Sequence, residues 1–519
     1  MGFYFICLTI LLFFIIVFVH TVAHDIKEHI SSPWFIILFC AVLTTLFKSN
    51  FGINFWGLEY EDAYSFSFCA RQFLYDIYPS SFLIDAVSVG SLENPLSTFT
   101  YGGHFITYPT FISIFTNVLG WSPNTISYIN TLTAFCILII LSLLGKQNRY
   151  WFIAPILFCC APIINVFTTC FLSETFSSFI CVTFIYAFFQ KETPIRDTLC
   201  LVSFGLALLC KRENLALGFI PILESAYTAY KTKRIPSIKI ILKKIVPFAI
   251  IIIIYFSACH NVFDIERIES KDIGQPTFSI QNFISAFPVY IKSLFSINSF
   301  SIISYLYVGY MILHAVKYRR ITKEILFTSL LFFSFIVLYS SHYRGYFYTK
   351  GEQLSFFETY RYINNFFYLI PLSFSYIYFQ EKYFRCFMSI LVILSIFSFC
   401  ITLKLRNDFS QLEDNMRFNE VKIISDYIKN DSPSDKIPML ISENILLYQN
   451  KCDDNFNICD ITQIDQLVFD TDKYSYYCLL SDKEYLKERY NIEIDMQYFI
   501  PLLQLTNNSV LYKYIPQLK

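Results

Sequence analysis

Four polar clusters interrupt an otherwise apolar sequence, and they contain the residue types that could do chemistry. The first holds three carboxylates, Glu59, Glu61 and Asp62, within four positions. A carboxylate can act as a general base toward a hydroxyl or amine, and a neighbouring carboxylate raises its pKa toward that role. The same oxygens also suit a divalent cation such as Mg²⁺ or Mn²⁺, the one cofactor that the sequence leaves open. A solvated acidic loop without a catalytic role is the alternative.

The loop of the first cluster also carries His104, and the second cluster is formed by Glu174. Each brings one titratable side chain to the end of an apolar segment. His104 follows a Gly-Gly turn, and it is either a site residue or a hydrogen-bonded residue at the membrane interface. Glu174 lies between two apolar segments. A charge in that position needs a polar cavity or a partner, unless it belongs to an exposed helix turn.

Basic residues complete the set of candidates. Lys211 and Arg212 lie in a charged turn, and a Lys-Arg pair suits a phosphate or pyrophosphate group because Arg makes bidentate contacts to its oxygens. An internal salt bridge with Glu213 is the alternative. Arg361 and Tyr362 begin a late apolar segment. Aromatic residues are expected there as interfacial anchors, but anchoring does not explain the arginine.

The elements that position these clusters are membrane-spanning helices. Of the 519 residues, 55% are hydrophobic and 15% charged, with a mean hydropathy of +0.48, whereas soluble domains are about 25% charged. We therefore predict an all-α polytopic membrane domain over residues 1–403 with about 12–13 transmembrane helices. Candidate spans lie at 3–22, 34–47, 125–144, 151–172, 175–190, 214–230, 245–259, 299–316, 325–341, 363–379 and 386–403, with two marginal segments at 106–121 and 199–210.

The positive-inside rule orients this domain. The two most basic short loops, Lys231–Lys244 and Lys317–Lys323, are predicted to face the cytoplasm. Alternation then places the long first loop, residues 49–106, and all four polar clusters on the opposite side. This scheme requires that residues 106–121 do not cross the membrane, and it puts the N-terminus outside. A cleaved signal peptide at residues 1–22 is the alternative, although no basic stretch precedes the apolar run.

The tail, residues 404–519, is predicted to be a soluble extracytoplasmic α/β domain. It contains 13 Lys+Arg against 19 Asp+Glu, a predicted helix at 413–429, and predicted strands at 438–442, 476–480 and 509–514. Cys452 and Cys459 have the spacing of a small disulfide loop in an oxidising compartment. For the whole chain, 40 basic residues balance 40 acidic ones, which argues against a nucleic-acid partner.

Three short motifs, in this order, resemble the GT-C superfamily of polytopic glycosyltransferases, most closely the branch with protein O-mannosyltransferases and aminoarabinose transferases. Glu61-Asp62-Ala63-Tyr64 is similar to the acidic motif of that family's first external loop. Gly205–Leu217 resembles its helix-turn-helix with a basic turn, and Tyr360-Arg361-Tyr362 resembles its late helix start. His104 takes the position of a basic residue in the family, but Phe105 replaces the proline that follows it there.

The resemblance implies a transferase that moves a sugar, with inversion, from a polyprenyl-phosphate-linked donor to a lipid, glycan or protein acceptor at the extracytoplasmic face. It implies Asp62 or Glu61 as the base and Lys211, Arg212 and Arg361 as phosphate-binding residues. Further site candidates are Glu59, His104, Glu174 and Tyr362. Composition suggests a bacterial inner membrane. Two alternatives stay open: a lipid or oligosaccharide transporter or flippase, and an envelope polysaccharide polymerase or ligase.

Overall fold

The structure is a computed structural model of the chain, and it divides into two units. The membrane unit comprises Met1–Leu58 and Phe105–Asn407, and the sheet unit comprises Glu59–His104 and Asp408–Lys519. The predicted boundary at residue 404 stays a prediction. The structure describes residues 2–29, 33–47, 66, 69–70, 73–75, 83–84, 87–90, 95–99, 104–120, 123–145, 150–169, 173–190, 193–233, 237–258, 279–295, 302–313, 322–341, 356–376, 385–397, 399–401, 404, 418–442, 457–460, 469–480, 496–505 and 509–515.

Helices make up the membrane unit. Among its described residues, four helical stretches are long and apolar enough to cross a membrane: Phe3–Lys27, Thr125–Leu144, Ile238–Ser257 and Lys323–Ser341. The helices are α1 (Gly2–His29), α2 (Pro33–Phe47), α3 (Thr107–Leu119), α4 (Pro123–Leu144), α5 (Ile153–Cys159), α6 (Pro162–Thr169), α7 (Glu174–Phe189), α8 (Pro194–Cys210), a 3₁₀ helix (Arg212–Phe219), α9 (Ile220–Thr232), α10 (Ile238–Ala258), α11 (Ile280–Leu294), α12 (Ile302–Leu313), α13 (Lys323–Ser341), α14 (Phe356–Phe367) and α15 (Leu369–Ser375), followed by helical residues 385–397.

The predicted fold class, an all-α membrane domain followed by an α/β domain, is confirmed. The number of membrane crossings stays a prediction. Prolines explain where the structure breaks two predicted spans. Segment 151–172 is divided before Pro162, and segment 363–379 is divided at Tyr368, shortly before Pro371. A proline inside a helix lacks the N–H donor and its ring clashes with the carbonyl four residues earlier, so a new helix begins there.

Helix α8 is longer than the sequence analysis predicted. It begins at Pro194 rather than at residue 199, and its 17 residues rise about 25 Å. Thr193 is the N-cap, where its side chain accepts a hydrogen bond from the Arg196 backbone N–H at 3.4 Å. The predicted start of the marginal segment 199–210 was therefore wrong by five residues, whereas its predicted end at Cys210 is confirmed.

A buried ion pair explains why the charged first turn of α8 is helical. Asp25 of α1 is fully buried, pairs with Arg196, and accepts a hydrogen bond from the Tyr186 hydroxyl of α7. Because a buried charge requires a partner, this pair draws the start of α8 into the bundle. It joins α1, α7 and α8 at one end.

The first residues of α1 lie at the other end, near Cys210. Tyr4 and Ser113 of α3 share a hydrogen bond of 3.0 Å between their hydroxyls, and Thr107 of α3 donates to the carbonyl of Leu209 at 2.5 Å. Helix α3 has 13 residues and rises about 20 Å, too little to cross the bilayer core. Both observations agree with the predicted scheme, in which α1 begins on the side of the Lys211 turn.

Glu224 of α9 connects the ends of the two basic loops. Its carboxylate accepts hydrogen bonds from Lys244 of α10 and from Lys323 of α13, each at 2.9 Å. The two lysines end the two segments that were predicted to face the cytoplasm. Their shared partner puts them at the same end of the membrane unit.

The described elements of the sheet unit are β1 (Leu83–Ile84), β2 (Val87–Gly90), β3 (Pro95–Phe99), the first residue of β4 (His104–Phe105), α16 (Phe418–Asp431), β5 (Ile437–Ser442), β6 (Asn457–Asp460), β7 (Tyr474–Leu480), β8 (Phe499–Gln504) and β9 (Val510–Tyr514). Strands β5 to β9 form a five-stranded sheet in the order β6-β5-β7-β9-β8. Strand β5 pairs in parallel with β6 and β7, while β9 pairs antiparallel with β7 and β8. Three of these strands and the helix were predicted, whereas β6 and β8 were not.

Strand β7 is the centre of this sheet, and all seven of its residues are buried. At the end of α16, Asp431 accepts hydrogen bonds from the Tyr477 hydroxyl of β7 at 2.8 Å and from the Lys513 ammonium of β9 at 2.6 Å. Partial burial alone would raise the pKa of Asp431, but these two hydrogen bonds and the charge of Lys513 lower it below its ordinary value. The carboxylate therefore links α16 to two strands.

We expect Asp431→Asn to loosen the sheet at neutral pH. Because the folded state lowers the pKa of Asp431, its contribution to stability is complete above the ordinary aspartate pKa of about 3.9 and is lost as the pH falls through the folded value. Hydrogen exchange of β7 and β9 at pH 7 should be faster in the variant. Asp435→Asn, an exposed control four residues away, should exchange like the wild type. Equal protection in Asp431→Asn and wild type at pH 7 would contradict the assignment.

Candidate functional site

Glu174, Lys211 and Arg361 form a buried ion cluster in the membrane unit. The Lys211 ammonium and the Arg361 Nε each donate a hydrogen bond of 2.9 Å to the same oxygen, Oε1 of Glu174. The side chain of Glu174 is 0% exposed, that of Arg361 9% and that of Lys211 15%. Two cations thus converge on one carboxylate with little access to water.

Two members of this cluster, Glu174 and Lys211, lie at helix ends. Glu174 is the first residue of α7, where the positive end of the helix dipole favours an acid. Lys211 is the C-cap of α8, where the negative end favours a base, and its backbone N–H bonds to the carbonyl of Ala207 at 3.0 Å. Arg361 reaches the same oxygen from α14, which lies far along the chain.

Asn214 holds the turn that carries Lys211. Its side-chain amide donates to the Ser177 hydroxyl of α7 at 3.0 Å and to the Ala207 carbonyl of α8 at 2.8 Å. The 3₁₀ helix that contains Asn214 is thereby tied to both helices that present the cluster. These bonds leave the turn little freedom to carry Lys211 away from Glu174.

Polar atoms near the cluster lack partners. Among the described residues, Oε2 of Glu174 is buried and accepts no hydrogen bond. Asn365 is 2% exposed, and neither atom of its side-chain amide has a partner in the part of the chain that the structure describes. Asn365 lies four residues after Arg361 on the same helix, so the two side chains leave α14 on the same face. Buried polar atoms normally have partners, so this region is suited to binding a polar group.

The structure brings together three of the predicted site residues: Glu174, Lys211 and Arg361. The alternative of an exposed turn at Glu174 was wrong, since the side chain is fully buried. For Lys211, the structure shows an ion pair with Glu174 instead of the alternative pair with its neighbour Glu213. Packing of α7 against α8 makes this longer-range partner available. The alternative pair of Arg212 with Glu213 stays open.

The remaining candidates are Arg212, Tyr362, His104 and the three acidic residues of the first loop. Arg212 begins the 3₁₀ helix and is partly exposed. Tyr362 is buried and its ring packs on that of Tyr339 at 5.7 Å between centroids. The backbone of His104 is in β4, but its side chain lies outside the described residues, as do the three acidic residues of the first loop, Glu59, Glu61 and Asp62.

Sequence reasoning did not select Asn365 or Asn214. Asn214 was part of the charged turn, but its amide could not be assigned to Ser177 without knowing that α7 packs on α8. Asn365 carries one signal, its helical spacing from Arg361. Among the described residues, no group of three or more His, Cys, Asp or Glu side chains could hold a metal ion.

Solved structures resemble this chain, although no known protein family and no curated protein matches its sequence. The crystal structure of ArnT from Cupriavidus metallidurans bound to undecaprenyl phosphate matches with a TM-score of 0.57 at 9% identity, over 94% of this chain and 99% of that chain. The apo structure of ArnT matches with a TM-score of 0.54 at 10% identity, over 92% and 97%. The predicted resemblance is thereby confirmed at the level of the fold, which this chain shares with ArnT.

We expect Asn214→Ala to lower the stability of the membrane unit. The change removes one donor from the Ser177 hydroxyl and one from the Ala207 carbonyl, which keeps its bond from the Lys211 N–H, at a cost of about 1–3 kcal/mol. The midpoint of thermal unfolding in detergent should fall. Asn117→Ala, an exposed control in α3, should leave that midpoint unchanged. Equal midpoints for the two variants would show that the Asn214 hydrogen bonds do not hold the turn.

Proposed function

We propose that this chain is a membrane glycosyltransferase that moves a sugar from a polyprenyl-phosphate-linked donor to a lipid, glycan or protein acceptor. The main support for this proposal is that Lys211 and Arg361 meet at one carboxylate in a site that is largely buried. Such a pair of cations within the fold of ArnT, whose crystal structure contains undecaprenyl phosphate, supports a lipid phosphate as the ligand. The chain is an integral membrane protein, and we assign it to a bacterial inner membrane with its tail extracytoplasmic.

Lys211 and Arg361 bind the phosphate of the donor in this mechanism. Among the described residues, Lys211 uses one of its three N–H donors on Glu174, so the others are available to phosphate oxygens. When the bond between the sugar and the phosphate breaks, negative charge grows on the leaving phosphate. Fixed cations in a water-poor site stabilise that charge more strongly than water does. Arg212, at the start of the adjacent helix, adds a third positive charge.

Asp62 or Glu61 acts as the base. It takes the proton from the acceptor hydroxyl or amine as that group attacks the anomeric carbon, and the polyprenyl phosphate leaves from the opposite face. The sugar is transferred with inversion of configuration. Glu59, His104 and Tyr362 are further candidates for contacts to the sugar or acceptor. Loss of transfer on addition of EDTA, restored by Mg²⁺ or Mn²⁺, would show that transfer requires a divalent cation, for which the carboxylates of the acidic loop are the proposed ligands.

We expect Lys211→Met and Arg361→Met each to weaken binding of undecaprenyl phosphate by about tenfold or more, because a charge-assisted hydrogen bond is lost. Binding would be measured with the purified protein in nanodiscs. Lys244→Met is the matched control, since it also removes one of two cations from a shared carboxylate, that of Glu224. Equal weakening in the control would show a general effect of charge rather than a phosphate site.

We expect the double variant Glu61→Gln, Asp62→Asn to lack the same glycan that a deletion strain lacks. Mass spectrometry of envelope glycolipids and glycoproteins would compare the deletion strain, the restored strain and the variant, with Asp435→Asn as a control for loss of an exposed acid. A variant that restores everything lost in the deletion would make the acidic loop structural. A transporter would then explain the phenotype better than a transferase.

A further inference from the structure

Glu174 offsets one positive charge at the proposed phosphate site. Its single oxygen Oε1 orients both Lys211 and Arg361. A neutral amide oxygen in the same position could accept the same two hydrogen bonds. What the carboxylate adds is therefore its charge. Oε2 is buried without a hydrogen-bond donor among the described residues, so Lys211 and Arg361 are the donors that this part of the chain supplies to the carboxylate.

The two lipids that the proposed reaction handles differ in charge. The donor is a phosphodiester with one negative charge, whereas the product is a phosphomonoester that carries about −1.5 to −2 at neutral pH. Two cations without a counter-ion would favour the more negative product. A product bound more tightly than the donor would stay in the site and slow each turnover.

We propose that Glu174 determines the specificity of this site for the singly charged diester over the doubly charged monoester. This inference rests on the proposed function and deepens it. The carboxylate repels the doubly charged monoester more strongly than the singly charged diester. The repulsion is strong because the side chains of Glu174, Arg361 and Lys211 are largely shielded from water. Glu174 thus promotes release of the product.

The chain offers a matched control for this idea. Glu224 is also a carboxylate between two cations, Lys244 and Lys323. Between Lys211 and Glu224 lie the 3₁₀ helix and four residues of α9, and their combined rise is about 20 Å. Glu224→Gln therefore makes the same charge change as Glu174→Gln at a place remote from the proposed site.

The experiment measures dissociation constants for two lipids in nanodiscs at pH 8. The probes are undecaprenyl phosphate, a monoester, and its methyl ester, a diester with one charge. We expect the wild type to bind the diester at least as tightly as the monoester. In Glu174→Gln, affinity for the monoester should rise relative to the diester by about tenfold or more. Glu224→Gln should keep the wild-type ratio.

Each outcome decides the proposal. An unchanged ratio in Glu174→Gln, with both lipids still bound, overturns the role of Glu174 and leaves the proposed function intact. If the wild type binds the monoester tenfold more tightly than the diester, the proposed role of Glu174 is overturned. This result needs no variant, so the proposal can be tested even if Glu174→Gln does not fold. A wild type that binds neither lipid overturns the proposed function itself, and the inference with it.

Discussion

A carboxylate buried among apolar helices is stable only where cations reach it, and Glu174 meets this requirement through partners that are 37 and 187 positions away in the chain. The requirement fixes how α7, α8 and α14 pack. It also places two positively charged side chains together in a largely buried part of the membrane unit. The same interaction thus serves the assembly of the helices and the chemistry proposed for them.

Two other carboxylates follow the same rule elsewhere in the membrane unit. Asp25 joins α1 to α8 through Arg196, and Glu224 joins α9 to α10 and α13 through Lys244 and Lys323. Helices α7 and α8 are therefore tied at both ends. At one end Lys211 pairs with Glu174, and at the other end Asp25 of α1 binds both Arg196 of α8 and the Tyr186 hydroxyl of α7. Apolar side chains fill the space between these contacts, where many combinations of similar volume pack equally well. This tolerance is one physical reason why a fold can be shared at 9% identity.

In the proposed mechanism, the charge at the Glu174 cluster balances binding of the donor against release of the product. Two cations attract a phosphate strongly, and a nearly dry environment increases that attraction. One carboxylate reduces it without displacing either cation. A site with this balance would suit a reaction whose product is more negative than its substrate, which is the chemistry expected for transfer from a lipid phosphate diester.

The sequence by itself determined the membrane class, most of the apolar helices and the three tail strands predicted at 438–442, 476–480 and 509–514, because these follow from composition and local periodicity. It also singled out Glu174, Lys211 and Arg361 as unusual charges beside apolar segments. Only the tertiary structure decided that Lys211 and Arg361 bind the same oxygen of Glu174. It also decided that α8 begins at Pro194, where Arg196 forms an ion pair with Asp25. Local propensity acts over a few residues, whereas the partner of a buried charge depends on which helices pack together.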